Sequence, residues 1–284
     1  MKHIVVFTFL FLFSLSTFSQ SSVWKIEGKG TQFYIGGSIH ILRDQDYPLP
    51  KEFYEAYYSS DILTTEMDMD EMNNPSNAMK MQKALMYQDE QTLSKVLNAE
   101  TYRKLDSLSN ALGINLKMMD KFKPSMVIIA LTFQALQKLG VTSEGVDVHF
   151  TQEAKEDKKQ QLFLESFDQQ LSYIESMGKD NENEFVMYSI DDIEENEEVF
   201  TELIETWKTG KLDVMISDLE ELEQNYPEIY TSLVLTRNRN WMSELEKYID
   251  TKEVEFVVVG AMHLVGNDGI LNQFKTKGYK VTQL

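Results

Sequence analysis

Apolar residues recur in two rhythms along this chain, and the change of rhythm divides it. Near each end a β-branched and aromatic run stops at glycine. The first is Phe33-Tyr34-Ile35-Gly36-Gly37-Ser38-Ile39-His40, and the second is Phe256-Val257-Val258-Val259-Gly260-Ala261-Met262-His263. Such runs predict buried strands that end where the backbone must turn. Residues 22–27 and 32–35 predict an opening hairpin around Gly28-Lys29-Gly30. A polar loop over 43–50, a helix over 50–58 and a strand over 61–66 follow. Residues 33–66 therefore form a strand–helix–strand unit, whose strands are expected to be parallel neighbours.

From about residue 75 to 250 the spacing is mainly helical. A helix over 99–112 ends at Gly113, and a more apolar one over 125–139 ends at Gly140. One strand, 161–164, interrupts. The acidic stretch 180–202 is expected to be a solvated helix-and-loop surface, and two helices follow over 213–226 and 228–248. The chain closes with a strand over 254–259, a helix over 268–277 and a strand over 279–282. The expected fold class is α/β: a central mixed β-sheet from two pseudo-related halves, flanking helices and a large helical insertion. Residues 20–284 are expected to form a single domain with a mainly helical middle at about 75–250.

The first 19 residues stand apart from this pattern. Lys2 gives a basic start, Ile4 to Leu15 an apolar centre, and Thr17 and Ser19 a small-residue cleavage site. We expect a signal peptide over 1–19, removed after Ser19, and a periplasmic or extracellular address. The apolar run is short for a membrane anchor, which needs roughly 20 residues. No later run approaches that length, so stable membrane insertion is not expected. Cleavage takes 19 residues from 284 and leaves 265, with 26 basic residues against 46 acidic ones. That surplus of negative charge repels phosphate backbones and excludes nucleic acid as a partner. Cysteine is absent, so thiolate nucleophiles and cysteine-based zinc sites are excluded as well. Nothing in the chain sets an oligomeric state.

Chemistry then falls to few residues. Of three histidines outside the leader, His40 and His263 share the frame strand, Gly-x-x-His, 223 positions apart. Ligand sites collect at the carboxyl ends of strands in open α/β sheets, so both imidazoles are candidates for metal binding or proton transfer. Glu66 ends the strand next to the His40 strand in sequence. Two histidines and a carboxylate suit Zn, Mn, Fe or Co, and spacing does not decide whether Glu66 is a ligand or a general base. Arg237-Asn238 interrupts acidic surroundings. It serves equally as an oxyanion donor or as a solvated basic stretch. His149 is assigned a structural role. The chain lacks a Gly-x-Ser-x-Gly elbow, a P-loop, a Gly-x-Gly-x-x-Gly turn and a His-Glu-x-x-His helix.

These residues together resemble the TraB/GumN family, whose animal relatives include the Tiki proteases. The resemblance rests on Gly37-Ser38-Ile39-His40, Glu66, Gly145-Val146-Asp147, and Leu164-Glu165-Ser166 with Gln169. It continues through Arg237-Asn238, the stretch from Val259 to Gly266 with Gly269, and Lys277-Gly278-Tyr279. The one departure is Ser166, where the family has threonine; serine keeps the hydroxyl. The resemblance implies an erythromycin-esterase-like α/β fold in which both histidines and the glutamate meet. It also implies Mn- or Co-dependent peptide cleavage as in Tiki-like members, or peptide-pheromone shutdown as in others.

The expectation is therefore an exported metal-dependent hydrolase acting on a peptide or protein. His40, Glu66 and His263 would hold a divalent metal (Mn, Co or Zn). Arg237 would steady an oxyanion with Asn238 orienting it, and Glu165 and Asp68 would fix imidazole tautomers. The alternatives are a non-catalytic peptide-binding protein using the same cleft, and an esterase using His and Glu without metal.

Overall fold

The computed structural model describes residues 20–141, 144–194 and 197–284. The expected signal peptide, 1–19, lies outside the described residues. Six strands, β1 (Val23–Gly28), β2 (Thr31–Ser38), β3 (Ile62–Thr65), β4 (Gln160–Phe163), β5 (Glu255–Gly260) and β6 (Lys280–Gln283), make one mixed sheet. Their order is β4-β3-β5-β2-β1-β6. β1 and β2 form the expected hairpin. Lys29 and Gly30 turn it with φ of 49° and 87°, the left-handed pair that a two-residue turn demands.

One expectation is corrected. β2 and β3 are parallel but not neighbours, because β5 lies between them and pairs in parallel with both. All six residues of β5 are buried. A strand apolar on both faces belongs at the centre of a parallel sheet, covered above and below. The crossover through the helix Lys51–Tyr58 leaves one place open, and β5 fills it.

Alternation along the strands gives each face its own cover. On one face Phe256 packs against Phe53 and Phe150, and Trp207 packs against Phe53. On the other, Phe33 meets Tyr248 and Phe274 edge-on. The helical middle builds a second cluster from Leu105, Leu108, Val127, Leu131 and their neighbours. The helix Ala99–Leu112 ends as expected on left-handed Gly113.

The acidic stretch is not merely a solvated surface. The helix Glu182–Glu194 buries Phe185, Val186 and Ile190 in the second cluster, and the helix Glu197–Lys208 buries Ile204 and Trp207 in the main core. Its carboxylates mask an amphipathic pattern that still carries an apolar stripe. The expected helix over 228–248 is also broken. Pro227–Tyr230 passes into a π-helical turn, Thr231–Leu235, before Thr236–Leu245 resumes as α-helix. A π turn resets which residues face inward, and here it does so immediately ahead of Arg237 and Asn238. Among the described residues no helix is long and apolar enough to cross a membrane.

Candidate active site

The parallel strands β2, β5, β3 and β4 all end at the same edge of the sheet. Ser38 lies opposite Gly260, and Thr65 lies between Val258 and Phe163. His40, His263, Glu66 and Glu165 each follow one of these ends by one to three residues. Backbone bonds from Leu164 N to Thr65 O and from Glu165 N to Glu66 O carry the β3–β4 ladder past the strands and fix both glutamates. Ser166 then caps the helix Phe167–Ser176, exchanging bonds with Gln169, so the serine keeps the role its hydroxyl allows.

Gly260 is the point of convergence. A Cβ there would lie 3.3 Å from Glu66 Oε1, 3.4 Å from His40 Nε2 and 3.4 Å from His263 Cδ2. Three side chains from three strand ends thus surround the space that a glycine leaves open. Its own amide donates to Glu66 Oε1 at 2.7 Å.

Arg237 ties the carboxylates together. Nε donates to Glu165 Oε1 at 3.0 Å, and Nη2 to Glu165 Oε2 at 2.9 Å and to Glu66 Oε2 at 2.5 Å. The guanidinium lies over the Trp241 ring at 4.8 Å, and Trp241 Nε1 also donates to Glu165, at 2.9 Å. Burial works against the Glu66 carboxylate, but Arg237 above all, together with the Gly260 amide, holds its pKa down to about 2.

The two imidazoles are oriented by partners other than those expected. Nδ1 of His263 lies 2.7 Å from Asn238 Oδ1, while Asn238 Nδ2 donates to the carbonyls of His263 and Asp268. Nη1 of Arg237 lies 3.1 Å from His263 Nε2. A guanidinium only donates, so Nε2 accepts and Nδ1 carries the proton. Burial, reinforced by the cationic Arg237, lowers the His263 pKa to about 3 despite Glu66, so the ring is neutral. His40 sits at the mouth with 59% of its side chain exposed, and its Nδ1 lies 3.3 Å from Asp147 Oδ2. Crowding costs the imidazolium solvation, but Asp147 beside it more than offsets this and raises the pKa to about 9.

Asp147 was absent from the candidate set. Ser38 Oγ donates to it at 2.8 Å, and it stands in the first turn of the helix Val146–Glu156, where an acid is favoured. Gly145 lets that helix start against the turn: a Cβ there would lie 2.2 Å from the His40 carbonyl. The place given to Glu165 and Asp68 as tautomer-fixing groups belongs instead to Asn238 and Asp147. Glu165 holds Arg237, and Asp68 caps a short turn by accepting from Asp70 N at 2.9 Å. Asn238 orients His263 rather than Arg237. His149 lies between the Tyr47 and Tyr54 rings, on the far side of the same helix start.

Two imidazoles and a carboxylate suit a divalent ion such as Mn, Co or Zn, and the missing Cβ of Gly260 keeps a cradle open between them. The residues fit such an ion by type and by space. Two of the three groups are engaged by Arg237, however, because His263 Nε2 and Glu66 Oε2 both accept from it. Among the described residues no three histidine or acidic side chains are already drawn together around one point as ligands.

Outside this cluster the surface carries two depressions of about 460 and 230 Å³ that share Pro227, Glu228 and Ser232. Tyr173 and Thr236 line the larger, next to the guanidinium.

The TraB/PrgY/gumN family model matches residues 22–283. The uncharacterized protein YbaP of Escherichia coli (strain K12) is 23% identical over 239 residues, covering 84% of this chain and 86% of that protein. YbaP of Shigella flexneri is 23% identical over 235 residues, 82% and 84% of the two chains. No solved structure matches.

Proposed function

The chain belongs to the TraB/PrgY/gumN family, and from that premise we propose that it is an exported, metal-dependent hydrolase that cleaves peptide bonds. The observation that carries the proposal is the meeting of His40 Nε2, Glu66 Oε1 and the His263 ring around Gly260. His40, Glu66 and His263 would hold the ion. When bound it supplies Lewis acidity and a nucleophile at neutral pH.

The rest of the chemistry belongs to the chain. Glu66, with a pKa of about 2, is a poor proton acceptor and a good anionic ligand, which favours ligand over base. Asn238 keeps the proton of His263 on Nδ1 and so leaves Nε2 as a donor to the ion. Asp147 holds Nδ1 of His40 from the mouth of the cleft and keeps the ring protonated up to about pH 9, so His40 would give up its Nε2 proton on joining the ion. Arg237, anchored on Glu165, presents a guanidinium to the oxygen of a scissile carbonyl as charge develops there. The depressions lined by Tyr173, Thr236 and Pro227 would receive the flanking chain of the substrate.

The purified chain, supplied with Mn, Co or Zn, should cleave members of a mixed peptide library. Histidine 40 is the test residue: His40→Ala should abolish cleavage while the circular dichroism stays that of the folded protein, and full activity in that variant would end the proposal. The groove beside Arg237 also favours a second reading, capture of peptides without cleavage. Peptide affinity that survives both chelation and His40→Ala, with no turnover, would select it.

A further inference from the structure

The atoms that a metal would need are the atoms that Arg237 now holds. Nη2 donates to Glu66 Oε2 at 2.5 Å and Nη1 to His263 Nε2 at 3.1 Å, so one guanidinium closes two of the three donors. The third, His40 Nε2, faces the same cradle from its open side. A fixed positive charge beside those donors also repels a dication. Yet only the tip of Arg237 is in the way. Its Nε and Nη2 are clamped by Glu165, whose side chain is 1% exposed, and its flat face rests on Trp241.

We infer that Arg237 is a built-in competitor for the metal: the ion binds by taking Glu66 and His263 from the guanidinium, which stays tethered to Glu165 with its freed N–H groups turned to the substrate. This rests on the metal-dependent reading of the site and adds an order to it. Arg237 closes the cradle and offsets the charge of Glu66 and Glu165. Loading with metal is the event that releases the oxyanion donor, so the cation and the substrate-binding guanidinium become available together.

The test is a calorimetric titration of Zn(II) into the purified chain and into Arg237→Lys, Arg237→Met and His40→Ala. Lysine keeps the charge but has one nitrogen and cannot reach both donors at once. Arg237→Lys should therefore bind zinc about tenfold more tightly than the wild type, as expected for the loss of a charge-assisted hydrogen bond that zinc must break. Arg237→Met should bind more tightly still, and His40→Ala should lose the site. Zinc should also shift the emission of the wild-type protein as the guanidinium stacked on Trp241 loses Glu66 and His263, and Trp241→Phe or Arg237→Met should abolish that shift. If Arg237→Met fails to fold, Arg237→Lys and the emission change still decide. Equal zinc affinity in the wild type and Arg237→Lys, or tryptophan emission indifferent to zinc, would overturn the competition alone. Failure of every variant and the wild type to bind zinc, manganese or cobalt would remove the metal-dependent reading and this inference with it.

Discussion

Arg237 aims Nη1 at Nε2 of His263 across 3.1 Å, and this contact decides the state of the ring. A donor on one side obliges the imidazole to keep its proton on the other, where Asn238 Oδ1 waits at 2.7 Å. The orientation of one side chain is thus set from both ends by neighbours in sequence on one helix.

Asn238 is wholly buried and satisfies two backbone carbonyls as well as the ring. Asn238→Ala should therefore cost about 2 kcal/mol of stability in urea unfolding, since buried partners are left unmatched. Its metal affinity should fall by about tenfold or more, as is usual when the group behind a ligating imidazole is removed. A variant that binds zinc as tightly as the wild type would show that the ring needs no such support.

Gly260 has φ −49° and ψ 132°, a conformation that alanine adopts freely. Any harm from Gly260→Ala must come from the Cβ, which would stand 3.3–3.4 Å from all three candidate ligands. We expect the melting temperature to stay nearly unchanged while hydrolysis drops by about a hundredfold, the scale of a small misplacement of reacting groups. Thermal melts and peptide turnover on the same sample measure both. Unchanged turnover would mean that the cradle is not where the chemistry occurs.

Asp147 should be detectable through His40. That carboxylate pushes the His40 imidazole up to about 9 against the cost of its lost solvation. Its pairing therefore stabilises the fold below the unfolded value of 6.5, and the contribution is lost as pH rises through 9. Asp147→Ala should move the midpoint, followed by proton NMR of the ring, down to or below 6.5. A midpoint that stays put would assign the raised value to another group.

Glu255 opens β5 with 1% exposure, and burial raises its pKa from 4.5 to about 7. The sign is that of a group which prefers its proton when folded. Stability is greatest below 4.5 and is lost as pH rises through 7, because the folded protein must then carry a buried charge. Glu255→Gln should remove that loss, on the order of 2–3 kcal/mol at pH 8, and change little at pH 4. Urea midpoints at the two pH values give the comparison, and a variant no more stable at pH 8 would contradict it.

Much of the site could be located from the two Gly-x-x-His frames, because a β-branched run broken by glycine is both a local structural signal and an address at a sheet edge. Glu66 was legible for the same reason. What pattern could not supply was pairing across elements. Asp147 reaches His40 from a helix more than a hundred residues on, and the resemblance through Gly145-Val146-Asp147 names no partner for it. Arg237 stood equal between two roles until Glu165 and Glu66 were found on either side of it. The acidic run over 180–202 hid Phe185, Val186 and Ile190 because charge was weighed ahead of periodicity.

The position of β5 has a consequence for how the molecule is made. Residues 255–260 lie far from β2 and β3 along the chain, yet they fill the middle of the sheet and contribute the glycine on which the three side chains meet. Without them β2 and β3 have no shared neighbour, so the sheet closes only through a pairing that spans most of the chain. Closing such a non-local pairing is a slow kind of step, so the three side chains are gathered only as the sheet itself is completed.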